Sequence, residues 1–278
     1  MTEEKHTTRY KVTAKAESEI AAVDLLASKC ELSKIKIKNL MKQGACWTKE
    51  TKEAKPERIR KAKYQVQAGK SLQLYVDPNI KDFDMTKVLC LHETHHYGVY
   101  FKPVGLLSQG TKYGDGFTIL REIHKRRGKE PFLIHRLDKE TAGVMMIAYT
   151  KKAARAFSKQ IQEHKIEKTY QAEVKGHPPE TKRLVSDIEG REAILEYTVK
   201  KKLANTSIVE IKLITGRKHQ IRIQFTELGF PIMGDPKYGQ GNGNDEGLKL
   251  IASKLSFDDP WRSGNFVHVE IPEDKRFI

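Results

Sequence analysis

The stretch Phe132-Leu-Ile-His-Arg-Leu-Asp-Lys-Glu-Thr-Ala-Gly-Val-Met-Met-Ile-Ala148 changes character half-way along. Arg136, Asp138, Lys139 and Glu140 crowd a charged turn, and Val144 to Ala148 is continuously apolar, as a strand buried on both faces would be. Read from its residues alone, Asp138 is a turn or capping aspartate, the usual occupant of such a turn. On either side of this stretch, Tyr97–Phe101, Thr169–Val174, Ala193–Val199 and Ser207–Leu213 also read as strands. Helices are fewer. One runs from Lys151 to His164 with Ala154, Phe157 and Ile161 on one face; another runs from His219 to Leu228 and is stopped by Gly229. Many strands and few helices, not in alternation, predict an α+β fold with a mixed, largely antiparallel sheet flanked by helices. The run Gly239-Gln-Gly-Asn-Gly-Asn-Asp-Glu-Gly247 is a flexible loop by composition, and there is no internal repeat.

Upstream the pattern differs. Tyr10, Val12 and Ala14 alternate with polar residues, and Ala21, Val23, Leu25 and Leu26 suit a helix. Ser33 is placed to cap a second helix, Lys34 to Gln43, ended by Gly44, with Ile37, Leu40 and Met41 on its apolar side. Lys34, Lys38 and Lys42 lie along one line of that helix. A strand near Ala45 to Thr48, a loop, and an alternating pair around Tyr64–Val66 and Leu72–Tyr75, turned at Gly69, complete a small α+β unit. The expected organisation is residues 1–77 as this unit, a polar linker over 78–87 opening at Pro78, and a large domain over 88–278.

Charge supplies the first hint of a partner. The 278 residues hold 51 Lys+Arg against 36 Asp+Glu, a formal net charge of +15. Lys29 to Lys70 alone contains 13 basic and 4 acidic residues, so more than half of the excess sits in under a fifth of the chain. A field of that sign draws polyanions; the competing reading is a solvated basic face. No apolar run is long enough to span a bilayer, and the polar start lacks a signal peptide's apolar stretch. Cys30, Cys46 and Cys90 are scattered without metal-ligand spacing, as in a reducing cytoplasm.

His92-Glu-Thr-His-His96 matches the H-E-x-x-H zinc pattern. That chemistry needs a helix to bring both histidines to one face. Val88-Leu-Cys-Leu91 before it and Tyr97-Gly-Val-Tyr-Phe101 after it favour strands, so a strand end or turn is expected and no metal site.

His-Arg-Leu-Asp followed by x-x-Thr-x-Gly and an apolar strand resembles the signature of RluA-type pseudouridine synthases, and the resemblance extends over about residues 96–273. Lys102-Pro-Val-Gly-Leu106, Lys168-Thr-Tyr-Gln-Ala-Glu-Val-Lys-Gly176, Thr215-Gly-Arg-Lys-His-Gln-Ile-Arg222 and Gly229-Phe-Pro-Ile-Met-Gly-Asp-Pro-Lys-Tyr-Gly239 are similar to further blocks of that family, in the same order. Ala142, Gln224 and Ile251 depart from it, standing where Ser, His and His are usual. Residues 17–76 resemble the RNA-binding domain of ribosomal small-subunit protein S-four, through Leu-Ser-Lys-x-x-x-Lys-x-x-Met-Lys-x-Gly and the later Val-x-Ala-Gly-Lys-x-Leu; Gly69-Lys70 stands where Gly-Asp is usual.

The resemblance implies an isomerase that detaches uracil from ribose, rotates it and rejoins it through carbon, with neither metal nor nucleotide cofactor. Asp138 is then the catalytic carboxylate; whether it adds to the base, attacks the sugar or takes a sugar proton stays open. Arg222 would pair with Asp138 and hold it ionised, against the plain reading of a helix-surface arginine. Tyr170 would stack on the flipped base, against that of a core strand tyrosine. Arg136 would fill the gap that the base leaves, against phosphate contact or simple solvation. His135, Lys168 and Arg217, with Lys34, Lys38 and Lys42, complete the expected RNA contacts. The implied partner is structured RNA, ribosomal before transfer RNA, met by a cytoplasmic monomer. The alternative is a non-catalytic RNA-binding protein that retains the synthase fold; a small-molecule hydrolase has no use for the basic N-terminal unit.

Overall fold

The computed structural model describes residues 8–48, 54–80 and 82–276. The extreme start and last two residues of the chain, the first five residues of the loop expected after Thr48 and one residue of the expected linker lie outside these. The chain forms two compact units, and they are not contiguous in sequence: the first comprises residues 1–85 and 109–125, the second 86–108 and 126–278.

In the first unit the elements are β1 (Tyr10–Lys15), β2 (Ile20–Ala21), α1 (Ala22–Ala27), α2 (Lys34–Lys42), β3 (Cys46–Thr48), β4 (Glu57–Arg58), β5 (Gln65–Val66) and β6 (Ser71–Val76). The sheet order is β1-β6-β3-β4, all antiparallel. Leu72, Leu74 and Val76 face inward from β6 onto Leu25 and Leu26 of α1 and Ile37, Leu40 and Met41 of α2, a single buried cluster. Ser33 caps α2 as expected, its hydroxyl accepting from the Lys36 N–H. The two alternating segments around Gly69 do not pair with each other: β5 pairs with β2 and β6 with β1 and β3. The reason is length. β5 has only two residues, and its Val66 enters the helix-side core instead of extending a hairpin.

Residues 109–125 belong to this unit through specific contacts. Asp115 forms ion pairs with Arg58 and with Arg60, the latter at 2.6 Å, and its backbone N–H donates to the Gln43 carbonyl at 2.8 Å. The Trp47 indole donates to the Lys112 carbonyl at 2.8 Å.

In the second unit, β7 (Leu89–Glu93) and β8 (Tyr97–Lys102) lead to α3 (Ile119–Arg127), whose last two residues fall in this unit. There follow β9 (Phe132–Leu133), β10 (Ala142–Ala148), α4 (Lys151–Gln162), β11 (Glu167–Lys175), β12 (Thr181–Asp187), β13 (Glu192–Lys202), β14 (Thr206–Leu213), α5 (Gln220–Glu227), β15 (Leu250–Asp258) and β16 (Phe266–Glu270). One ten-stranded sheet runs β12-β13-β14-β11-β15-β10-β8-β7, with β16 beside β15 and β9 beside β10. Among the described residues only β10 and β15 run parallel, so the sheet is mixed and largely antiparallel, and the fold is α+β as expected. α4 presents Ala153 and Phe157 to the core; the expected Ala154 is turned partly outward, one position round the helix. Phe157 meets Tyr97 and Phe257 edge-to-face, with centroids 4.9 and 5.4 Å apart.

β7 extends through Glu93, and His96 lies beyond it, stacked on Trp261 at 4.2 Å. The H-E-x-x-H match is therefore strand and turn, and its histidines never share a helix face. Gly239 to Gly247 is a looped segment tied to the residues just before it, Gly239 N–H to the Asp235 carbonyl and Gly234 N–H to the Asn242 carbonyl, both 3.1 Å. No helix among the described residues is long and apolar enough to cross a membrane.

Candidate active site

The charged turn before β10 is fixed from both sides. Buried Ser108 grips the Leu137 peptide, its hydroxyl donating to the Leu137 carbonyl at 2.5 Å and accepting from the Leu137 N–H at 3.0 Å. After the turn, Thr141 N–H donates to the Asp138 carbonyl, and Gly143 (φ +129°) lets β10 come so close to β15 that a Cβ there would lie 2.2 Å from the Ala252 carbonyl oxygen. Asp138 is thereby held at the mouth of a cleft of about 170 Å³ whose lining includes Arg136, Tyr170, Arg217, His219 and Arg222.

α5 and the loop before it supply the cationic wall. Gln220 organises that loop: its side-chain oxygen accepts from the Thr215 hydroxyl (2.8 Å) and the Arg217 N–H (2.9 Å), and its amide donates to the Ile194 carbonyl (3.1 Å) and the Gln224 side chain (3.1 Å). Two residues further along α5, Arg222 is 2% exposed. Its guanidinium makes a bidentate pair with Asp235 at 2.7 and 2.8 Å and reaches Asp138 and Glu140 with Nη1, each at 3.6 Å. The expected Arg222–Asp138 proximity exists, but Asp235 is the stronger partner. Burial alone would raise the Asp235 carboxyl; the Arg222 hydrogen bonds and the N–H groups of Tyr238 and Lys237 outweigh it and hold it below the usual carboxylate range. His219 adds its Nε2 3.7 Å from the Asp138 carboxylate.

Tyr170 projects from β11 at an irregularity in the β11–β15 pairing between Thr169 and Tyr170. It is 6% exposed and forms part of the cleft wall. Burial, then the Asp138 charge, push its hydroxyl's pKa up, so the ring stays neutral.

The other expected contacts distribute differently. Arg136 is exposed at the cleft and Arg217 half-buried in its wall, with Nε donating to the Glu192 carbonyl at 2.9 Å. His135 turns inward: its Nε2 accepts from the Met146 N–H at 3.0 Å, and burial, with Lys168 nearby, lowers its pKa to about 3. That nitrogen therefore serves β10 and not an RNA. Burial also lowers the Lys168 ammonium's pKa. Lys34, Lys38 and Lys42 are exposed on α2 of the first unit, Lys34 paired with Asp24 at 2.6 Å.

Three participants carry no sign of a role in the sequence. Asp235 and His219 lie within the Gly229–Gly239 and Thr215–Arg222 segments, but nothing in their spacing shows which side chains meet. Lys102 is fully buried, donating to the Pro103 and Leu106 carbonyls at 3.2 and 2.9 Å. Burial lowers its pKa to about 7 against the pull of Asp138 and Glu140. A lysine at the end of a strand pattern gives no sign that its side chain runs inward.

A family profile described as RNA pseudouridylate synthase matches residues 96–227. An uncharacterized RNA pseudouridine synthase of Aquifex aeolicus is 32% identical, over 89% of this chain and 88% of its own. The chain belongs to the RNA pseudouridine synthases. Ribosomal large subunit pseudouridine synthase C of Buchnera aphidicola is 31% identical, over 64% of this chain and 65% of its own. The solved structure of human RNA pseudouridylate synthase domain containing 1 shares the fold, with a TM-score of 0.58 at 21% identity, over 70% of this chain and 86% of that one. As a pseudouridine synthase the chain is an isomerase. Two of its departures from the family pattern, Ala142 and Ile251, are register partners between β10 and β15. The third, Gln224, is buried beneath the Gln220 network and bonds the Ser186 hydroxyl and the Ala193 carbonyl.

Proposed function

We propose that the chain isomerises particular uridines of structured RNA to pseudouridine, with Asp138 as the carboxylate acting on the flipped nucleoside, Arg222 orienting it and Tyr170 stacking on uracil. One observation carries the reading: an aspartate, an arginine and a buried aromatic from three distant blocks line one cleft, with the guanidinium 3.6 Å from the carboxylate. A pure RNA binder has no use for a carboxylate facing an anionic ligand. A flipped base costs a few kcal/mol to extrude, and the ring of Tyr170 offers about 1–3 kcal/mol of stacking in return. In this reading Arg136, exposed at the cleft, enters the vacated stack, and Lys168 and Arg217 meet the phosphates.

Ribosomal RNA is the first substrate candidate, supported by the name of the Buchnera relative, and transfer RNA the second. The N-terminal unit reads as an S-four-like RNA-binding domain that presents Lys34, Lys38 and Lys42 to phosphates.

The test is Asp138→Asn, assayed by pseudouridine-selective chemistry and reverse-transcription stops on ribosomal and transfer RNA. Turnover is expected to vanish while RNA binding stays near wild type. Measurable turnover above a mock preparation defeats the assignment, and absence of turnover in the wild type on both RNAs favours the non-catalytic binder.

A further inference from the structure

His219 sits in the left-handed backbone region, φ +54° and ψ +22°, at the N-cap position immediately before α5. Histidine tolerates this region better than most side chains, but it is uncommon for any non-glycine residue, and strain of this kind gathers at functional sites. The consequence here is geometric. The imidazole is aimed into the cleft, with Nδ1 3.0 Å from the Tyr238 hydroxyl and Nε2 3.7 Å from the Asp138 carboxylate. The groups that face it are Asp138, Arg222, Lys218, Lys237 and Tyr238. Burial lowers its pKa, Asp138 raises it, and Arg222, Lys218 and Lys237 lower it again, for a net downward shift. The resting ring is neutral at neutral pH, and one carboxylate stands ready to stabilise its protonated form.

Pseudouridine formation creates a base requirement that Asp138, engaged with the nucleoside, leaves to another group. When the N1–C1′ bond breaks, N1 keeps the electron pair. When C5 bonds to C1′, C5 carries both ribose and its original hydrogen. Aromaticity returns only when that proton leaves, its electron pair re-forming C5=C6, while N1 takes up one proton. The step is redox-neutral and needs one acceptor at C5.

We propose that His219 is that acceptor: Nε2 takes the C5 proton, Nδ1–H donates to the Tyr238 hydroxyl, and the imidazolium beside Asp138 returns a proton to N1 directly or through water. The inference rests on Asp138 being the carboxylate of the site.

The experiment compares single-turnover rates on RNA transcribed with uridine and with 5-deuterouridine. His219→Asn is the primary variant, because asparagine also accepts the left-handed backbone. It is expected to melt near the wild-type temperature, to react about 100-fold more slowly or worse, and to show a primary deuterium effect larger than wild type, since C5 deprotonation becomes limiting. A packing role would slow the reaction without changing the isotope effect; an unchanged isotope effect, or an unchanged rate, overturns the proposal. Tyr238→Phe provides a second test that leaves the His219 backbone untouched. A raised isotope effect with a smaller rate loss supports the pair, and an unaltered isotope effect counts against it. Asp138→Asn separates the two readings: if it is inactive while neither variant changes the isotope effect, only the role of His219 fails.

Discussion

Arg222 gives its two short hydrogen bonds to Asp235 and only Nη1 to Asp138. Arg222→Leu therefore strands a buried carboxylate, and a loss of about 3–5 kcal/mol is expected in denaturant titration. Asp235→Asn in the same chain should recover much of the stability but not the activity; recovered activity would show that Nη1 does nothing for Asp138. Because the folded carboxyl of Asp235 lies below its unfolded value, near 3.9, its contribution is complete above that pH and is lost as pH falls through the folded value. The Arg222→Leu chain should show less of this acid-side loss. For Tyr170, Tyr170→Leu removes the ring and leaves a smaller apolar side chain; a rate loss of roughly five- to 150-fold, matching 1–3 kcal/mol of stacking, is expected in a chain that still melts cooperatively, while Tyr170→Phe keeps most activity. An equally damaging Tyr170→Phe would point to the hydroxyl instead. Asp138, Arg222 and Tyr170 are legible only through the resemblance of their blocks to a known family; by pattern alone they are a turn aspartate, a helix-surface arginine and a core strand tyrosine. The sequence hides Asp235 and the inward His135, since partner choice is decided by side-chain packing across loops that have no periodicity.

At the scale of elements, the parallel contact of β10 with β15 involves only two residue pairs, Ala142 with Ile251 and Gly143 with Ala252. Gly143 both adopts a positive φ and occupies the point of closest backbone approach. Gly143→Ala is expected to cost several kcal/mol by strain and clash and to displace the turn that bears Asp138. Thermal melts and activity should fall together; a stable, active variant would show that this approach is slack. Strand identities here follow from apolar runs and alternation, and most of those read from sequence appear. β15, the strand between β11 and β10, is not among them: Leu250 to Asp258 carries Ser253, Lys254 and Ser256 among its apolar residues, and buried polar residues blur the signal. The expected β5–β6 hairpin is absent for the opposite reason, since a well-placed turn glycine cannot reveal that a two-residue strand pairs elsewhere.

Across the whole molecule, the excess charge is plain in the composition, but its use depends on exposure. Lys38 and Lys42 lie exposed on α2, whereas Lys34 is paired with Asp24. Lys38→Glu with Lys42→Glu is expected to weaken RNA binding and to flatten the dependence of affinity on salt by about 0.7–0.9 for each phosphate no longer neutralised, with the catalytic rate on saturating RNA preserved. An unchanged salt slope would leave these lysines as a solvated face. Surface substitutions suit this question better than truncation, because removing residues 1–77 also strips residues 109–125 of Gln43, Arg58 and Arg60.

The return of residues 109–125 to the first unit bears on inheritance. A domain joined by one linker can be gained or lost by a single recombination event. Here the chain passes between the units three times, after residues 85, 108 and 125. A lineage that discarded the N-terminal segment alone would keep an insertion whose Asp115 has no arginine to meet. Gly110, Gly114 and Gly116 would remain shaped to neighbours, Gln43 and Arg58 among them, that no longer exist. Loss of the appendage and erosion of this insertion should therefore travel together through descent, as one inherited character encoded in two separated places.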